Sequence, residues 1–488
     1  MNTATATAFS VIGTLVQAED SAAVAFAAPP DPPGGGGEFE VVDLGTLGGD
    51  SSGALAINDR SQVVGWAVDD QGRTQAFLWQ GGGMTGLGFL PGEFYSLANA
   101  INNNGDIVGF AYVGPTAQHA FLYRSNSLAD LGTLGGPRSL ARAINDAGDI
   151  VGWSWLASNQ PNNSDQETFV WRSNGFIHIT PFHDYYSCEA TGVNKSGRIC
   201  GNTFLWATGA RWWAYVWYDA NGNGTNDNDE MQLLGNLGET YSWGSYSGAN
   251  AINDSGQVVG WTCITNWNYP QHAFLVTPRN GQWKIPAGAP ITSNSLMQSL
   301  GVLGGPTNNS WARDINNETW IVGTADMPAG TNQAFLWRYG AMENLNDLIA
   351  TNSGWVLTEA AGINEHNEIV GSGLHHGQPR AFLLRQGGRI THVDKIVQTT
   401  NFWVYTNDFG DVVTQAVEEI QTHVLQWAGI WGTNANASHV FTVEYCDALQ
   451  DHVWKPFYPT NQWPTGNNIW TNSDYGAVSM RFFRVRAK

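Results

Sequence analysis

The stretch Ala56-Ile57-Asn58-Asp59-Arg60-Ser61-Gln62-Val63-Val64-Gly65 decides the fold, because its pattern returns along most of the chain. Copies begin at Ala100, Ala143, Gly192, Ala251, Asp314 and Gly362 and end at Gly109, Gly152, Gly201, Gly260, Gly323 and Gly371. With the Asn as marker, at 58, 102, 145, 194, 253, 316 and 364, successive copies lie 44, 43, 49, 59, 63 and 48 residues apart. A period in this range marks a repeat architecture in which each copy is one supersecondary unit.

Each copy reads as a hairpin. Apolar residues flank a polar turn such as Asn145-Asp146-Ala147-Gly148, where Asn and Asp bond the local backbone and Gly accepts positive φ. A third strand follows, as Ala76-Phe77-Leu78-Trp79, Ala120-Phe121-Leu122-Tyr123 or Ala334-Phe335-Leu336-Trp337. Such short, nearly continuous apolar runs suit strands covered on both faces. A fourth element recurs as Asp43-Leu44-Gly45-Thr46-Leu47-Gly48-Gly49, Asp130-Leu131-Gly132-Thr133-Leu134-Gly135-Gly136 and Leu300-Gly301-Val302-Leu303-Gly304-Gly305. Four strands per unit and seven units predict an all-β, seven-bladed β-propeller over residues 39–395. The first Leu-Gly strand precedes the first hairpin, so it is free to complete the last blade and close the ring. A linear β-solenoid is the alternative, but its coils are usually shorter.

The motifs Asp-Leu-Gly-Thr-Leu-Gly-Gly and Ala-Ile-Asn-Asp-x-Gly-x-Val-Val-Gly, with His119-Ala120-Phe121 and His272-Ala273-Phe274, resemble the extracellular HAF-repeat family. The resemblance covers about residues 40 to 390. It implies secretion and a propeller-like fold, and it implies no defined activity.

Composition fits that expectation. Only 13% of residues are charged while Gly reaches 58, which suits short strands and tight turns better than solvated helices. Lys and Arg total 22 against 42 Asp and Glu, a net charge of -20 that repels phosphate backbones and anionic lipid. Nucleic acid and membrane insertion are therefore excluded as partners, and no run is long enough to span a bilayer. Four Cys are too few for a disulfide scaffold. Cys200 stands where sister repeats carry Val and reads as a buried apolar residue; a bridge to Cys188 is the other reading.

The ends differ from the middle. Residues 29–38 form a linker, Pro29-Pro30-Asp31-Pro32-Pro33 followed by Gly34 to Gly37. Residues 1–28, rich in Ala, Thr and Val, read as an arm that frays, a degenerate leader, or a strand added to a neighbouring molecule. No Lys or Arg precedes Arg60, so the basic start of a signal peptide is missing. Residues 396–488 resemble a fibronectin-like β-sandwich of the kind appended to bacterial secreted proteins. Strands are expected at 422–427, 439–445, 454–458 and 481–486, the last as Arg481-Phe482-Phe483-Arg484-Val485-Arg486.

The best local site motif runs from Asp219 to Glu230 and fits a twelve-residue calcium loop. Asp219, Asn221, Asn223, Asp227 and Glu230 would bind by side chain and Thr225 by its carbonyl. A hard cation needs six or seven oxygens converging from a tight turn, and this spacing supplies them. Two Asn among the ligands imply modest, extracellular-type affinity. Aromatics crowd blades three to five; Trp155, Trp243 and Trp267, read as loop residues, are candidates for stacking on sugar rings. His178, His183, Asp184 and Glu189, and separately His366, His375 and His376, break the repeat without a spacing that chemistry requires. The resulting expectation is an extracellular or cell-surface, non-enzymatic scaffold that binds protein and self-assembles into filaments through residues 1–28. A glycan-binding module is the alternative, and a glycan-cleaving enzyme the third.

Overall fold

The computed structural model describes residues 37–386, apart from 158–165, 173–174, 180–184, 206–210, 220–229, 238–245, 265–269, 284–293, 306 and 329. In 1–36 and 387–488 it describes strand backbones alone. The expected β-propeller is present. Four separate four-stranded antiparallel sheets accompany one sheet of twelve strands. The twelve are three further four-stranded units joined by single parallel pairings, Gln118 with Arg138 and Gln166 with Ser187. Among the described residues seven such four-stranded units therefore follow one another as blades, and every copy of the Asn motif is the turn between the first and second strands of one.

The turn chemistry accounts for the motif. The Oδ1 of Asn102 accepts the N–H groups of Asn104 and Asp106 at 3.0 and 2.9 Å, which folds the chain back on itself. The residue three after the Asn lies at positive φ, as Gly105 (87°) and Gly148 (85°) do, and Ser61, Thr319 and Asn367 hold it without being glycine.

The same Asn joins the blades. Its Nδ2 donates to the backbone carbonyl of the equivalent Asn in the next blade, from Asn58 to Asn102 at 2.9 Å and onward through 145, 194, 253, 316 and 364. Asn364 then donates to the Asn58 carbonyl at 3.0 Å, so the chain of bonds closes on itself. A solenoid has no such return.

Packing closes in the same way. Val63 and Val64 point to opposite faces of their strand, and both are fully buried. Val64 packs against Ala98 and Phe121 of the second blade, whereas Val63 packs with Val370 and Leu383 of the seventh. One hydrophobic cluster fills each junction between neighbouring blades. The third-strand Phe at 77, 121, 169, 274, 335 and 382 is fully buried in six of them, each burial stabilising by about 1.5–3 kcal/mol.

The last blade is completed from the other end of the chain, as expected. Phe39–Asp43 pairs antiparallel with Gln378–Gln386, with Val41 opposite Leu384. The strand is anchored as it enters: Phe39 N–H donates to Leu348 O at 2.9 Å, and Arg338, lying on the Trp320 ring, binds Glu38 and Glu343.

A second inter-blade contact was not legible in the repeat. A serine six residues before the Asn accepts the N–H of the third-strand Ala of the preceding blade and donates to the carbonyl of its Leu-Gly glycine. Ser96 does this with Ala76 and Gly88, Ser139 with Ala120 and Gly132, and Ser310 with Ala273 and Gly301. In the fourth blade this position is Cys188. Cys188 and Cys200 are free thiols in different clusters, so no bridge joins them, and burial pushes both up to about 12.

Outside the propeller, Ala6–Phe9 and Leu15–Ala18 form a hairpin. The C-terminal region holds strands at Thr422–Gln426, Phe441–Cys446, Lys455–Phe457 and Phe482–Ala487, inside or overlapping the four expected, in two of its three small antiparallel sheets. How these sheets pack, and with it the sandwich, lies outside the described residues. Among the described residues no helix is long and apolar enough to cross a membrane.

Candidate functional site

Every innermost strand slips register against its partner at one shared position, and four of the seven slip a second time nearer their start. The shared slip falls between Ala54 and Ala56, and at the equivalent residues of the other six blades. The residue skipped is Leu55, Asn99, Arg142, Thr191, Asn250, Arg313 or Ala361. Such bulges re-aim a side chain out of the ladder. Their cause is the glycine that ends the motif: a Cβ on Gly109 would lie 2.0 Å from the Leu97 carbonyl oxygen, and one on Gly260 1.9 Å from that of Gly248. Only a glycine lets the bulged strand approach this closely.

All seven bulged side chains line one cavity of about 430 Å³ along the propeller axis, a size within the range of small-molecule sites. Glu189, Glu359, Asn202, Trp212 and Trp261 complete its wall. Apart from Asp314 the neighbours of each bulge are Ala or Gly, whereas the bulged residue is Leu, Asn, Arg, Thr or Ala. The cavity wall is thus not the same from blade to blade.

The wall is polar and internally compensated. Arg142 lies 4.0 Å from Glu189, whose Oε1 also accepts Asn202 Nδ2 at 3.1 Å, and Arg313 lies 3.0 Å from Glu359. Asn99, Thr191 and Asn250 each donate to a carbonyl of the next blade, at 2.7, 2.9 and 2.6 Å. Trp261 lies against Gly248, where a Cβ would meet its Nε1 at 2.6 Å, and Trp212 meets Phe204 edge-on at 5.3 Å. In the fourth blade Tyr215 replaces the third-strand Phe, and its hydroxyl donates to the Glu189 carbonyl at 3.2 Å. Burial drives that hydroxyl well above the ordinary tyrosine range.

The Asn turns carry a different set of groups. The residue after each Asn donates its N–H to the side chain of its counterpart, Asp59 to Asn103, Asn103 to Asp146, Asp254 to Asn317, Asn317 to Glu365 and Glu365 to Asp59. Lys195 has no acceptor to offer Asp146. Desolvation, aided by Asp59, Asp254 and Asp314, pushes Glu365 up to about 7. Asp314 replaces the usual Ala or Gly before Ile. Burial raises it to about 6, although it accepts the N–H groups of Ile363 and Ile315 at 2.9 Å.

The site residues expected from sequence fall largely elsewhere. Asp219 and Glu230 stand at the two ends of their loop, where Tyr218 N–H meets Glu230 O at 3.2 Å. Asn221, Asn223, Thr225 and Asp227 lie outside the described residues, as do Trp243 and Trp267. Trp155 belongs to strand Ile150–Leu156 rather than to a loop, and its ring takes the Arg138 guanidinium at 5.0 Å. The strand extends further than expected because Trp155 still pairs with Gln166. His183 and Asp184 are outside the described residues, and Glu189 is the member of that group in the cavity. His375 stacks on Trp355 at 4.6 Å with Nδ1 2.9 Å from Asp43, away from the cavity wall. Among the described residues no three His, Cys, Asp or Glu are gathered in a way that could hold a metal ion.

Fold and cavity together define a β-propeller with a polar, indole-bearing axial cavity. The chain belongs to the family described as a protein of unknown function, DUF3466, whose model matches residues 137–437. The match spans the third to seventh blades and enters the C-terminal region. No curated protein matches the chain. Among solved structures it is similar to a Mycobacterium tuberculosis puromycin-hydrolyzing peptidase, at 11% identity, over 80% of this chain and 61% of that one, with a TM-score of 0.42. The chain thus spans about three fifths of that peptidase. It is also similar to YCF48 bound to D1 peptide (12% identity, 73% and 97% covered, TM-score 0.41). A third is the β-propeller domain of the Trilobed protease from Pyrococcus furiosus (9%, 62% and 99%, TM-score 0.31). At these identities none of them speaks to what this chain binds.

Proposed function

We propose that this is an extracellular, non-enzymatic binding protein whose axial cavity takes a small, uncharged, hydroxyl-rich ligand, the end of a glycan. The observation that carries this reading is the convergence of all seven bulged residues, a variable position of the repeat, on one cavity. Its charges are already matched as Arg–Glu pairs, so neither a net cation nor a net anion is called for. Paired guanidinium and carboxylate groups offer donors and acceptors to vicinal hydroxyls, and indole faces cover the apolar side of a sugar ring.

Intrinsic fluorescence titration with neutral di- and trisaccharides of α and β linkage tests this reading. Trp212→Ala and Trp261→Ala should each weaken binding at least tenfold and Trp155→Ala leave it unchanged. No response to any member of the panel would sink the reading.

A second reading, the self-assembling scaffold, keeps one support. The strand Phe39–Asp43 that completes the seventh blade comes from just beyond residues 1–28, so that arm leaves from the closure point of the ring. Filaments from the intact chain that vanish when it begins at Glu38 would favour it, and discs from both would remove it. Calcium held by residues 219–230 would, on either reading, stiffen the long loop of the fourth blade.

A further inference from the structure

Resting on the channel reading above, we infer that the cavity grips its ligand with two equivalent sets of side chains and so takes two like sugar units, a disaccharide. In blade order the first set is Asn99, Arg142 and Glu189, on blades two, three and four. The second is Asn250, Arg313 and Glu359, on blades five, six and seven. Each member of one set stands three blades from its counterpart, nearly across the channel, and the first blade contributes only Leu55 to the cavity.

The correspondence extends to what each residue does. Asn99 and Asn250 both donate to the carbonyl of the alanine before the arginine, Ala141 at 2.7 Å and Ala312 at 2.6 Å. Each arginine faces the glutamate of the following blade, at 4.0 and 3.0 Å. Both glutamates sit two residues before the bulge, a position filled by Gly53, Leu97, Leu140, Gly248 and Trp311 in the other five blades. Acid and base thus recur together, in the same order and at the same repeat positions, with nothing comparable between them.

Each set is neutral and offers a guanidinium fork, a carboxylate and a carboxamide, which matches adjacent hydroxyls on one ring. Trp212 and Trp261, on blades four and five, stand where the first set ends and the second begins. They give a flat wall that a pair of linked rings can share. The sets differ in the surroundings of their glutamates. Asn202 ties Glu189 at 3.1 Å, while Ser372 occupies that position beside Glu359, whose side chain is 36% exposed against 18% for Glu189. The second set is therefore the more open end, where a longer glycan would leave.

Calorimetric titration tests this with the tightest disaccharide of the panel and its constituent monosaccharide. The variants are the charge-neutral Arg142→Gln/Glu189→Gln and Arg313→Gln/Glu359→Gln. Each should weaken the disaccharide at least about tenfold, with the two losses within about threefold of each other, and the monosaccharide should bind weakly to wild type. Should either variant fail to fold, Asn99→Ser and Asn250→Ser make the same comparison. Loss confined to one set overturns the two-set inference but leaves the channel reading standing. Binding indifferent to both sets and to Trp212→Ala and Trp261→Ala overturns both.

Discussion

Removing one link from the ring of asparagines separates a closed propeller from an open stack of blades. Asn102 is 4% exposed; its Nδ2 serves the Asn145 carbonyl at 3.0 Å and its Oδ1 serves two backbone N–H groups. Asn102→Ala therefore strands one carbonyl and two N–H groups. At about 1 kcal/mol for each net bond, and more where the abandoned group stays buried, the cost is about 3–5 kcal/mol. Asn364 is equally buried and makes the same set, its donation running to Asn58 across the seam at 3.0 Å and its Oδ1 serving His366 and Glu368. Asn364→Ala should cost the same within about 1 kcal/mol. Urea unfolding followed by tryptophan fluorescence, read on the propeller transition with constant slope, makes the comparison. A seam variant cheaper than Asn102→Ala by about a third or more, the share of one bond in three, would refute the closed ring, because that bond would then be absent in solution.

Other consequences concern single residues. Gly260→Ala should abolish soluble folded protein or cost more than about 3 kcal/mol, since its Cβ would meet the Gly248 carbonyl, whereas Gly83→Ala, with open space around it, should be near neutral in the same assay. A carboxyl raised above its unfolded value stabilises fully below that value and loses its contribution as pH rises to the folded one. Glu365 thus weakens the fold between pH about 4.5 and about 7, and Glu365→Gln should melt higher than wild type at pH 8 and flatten the pH profile over that window. Calcium should raise the melting temperature reversibly to chelator, and Asp219→Asn/Glu230→Gln should remove that rise; a shift surviving the variant would place the ion elsewhere.

The blade plan was legible because each copy states it locally. Asn between apolar pairs, with Gly three residues on in four copies, specifies a hairpin turn, and the first Leu-Gly element, beginning at Asp43, stood unpartnered ahead of the first hairpin although the closing strand is Phe39–Asp43. The cavity was hidden for a physical reason. Strand alternation assigns a residue to a face by counting in twos, and the bulge adds one residue, which moves Arg142 and Arg313 off the face that counting predicts. The available signal was a variable residue between two small constant ones, as in Ala141-Arg142-Ala143, and it was outweighed by the aromatics near the insertions. Trp155 reads as a loop residue because the repeat motif ends at Gly152, whereas its strand stays paired to Trp155 on one side and Leu156 on the other. The serine contact was obscured by Cys188 and Thr358, which break the pattern in the fourth and seventh blades.

A crystal structure of the protein soaked with the tightest disaccharide tests the central claim most directly. The account predicts density for two rings against Trp212 and Trp261, with polar contacts to Arg142 and to Arg313. Sugar bound on an outer face of the blades, with none in the channel, would contradict it.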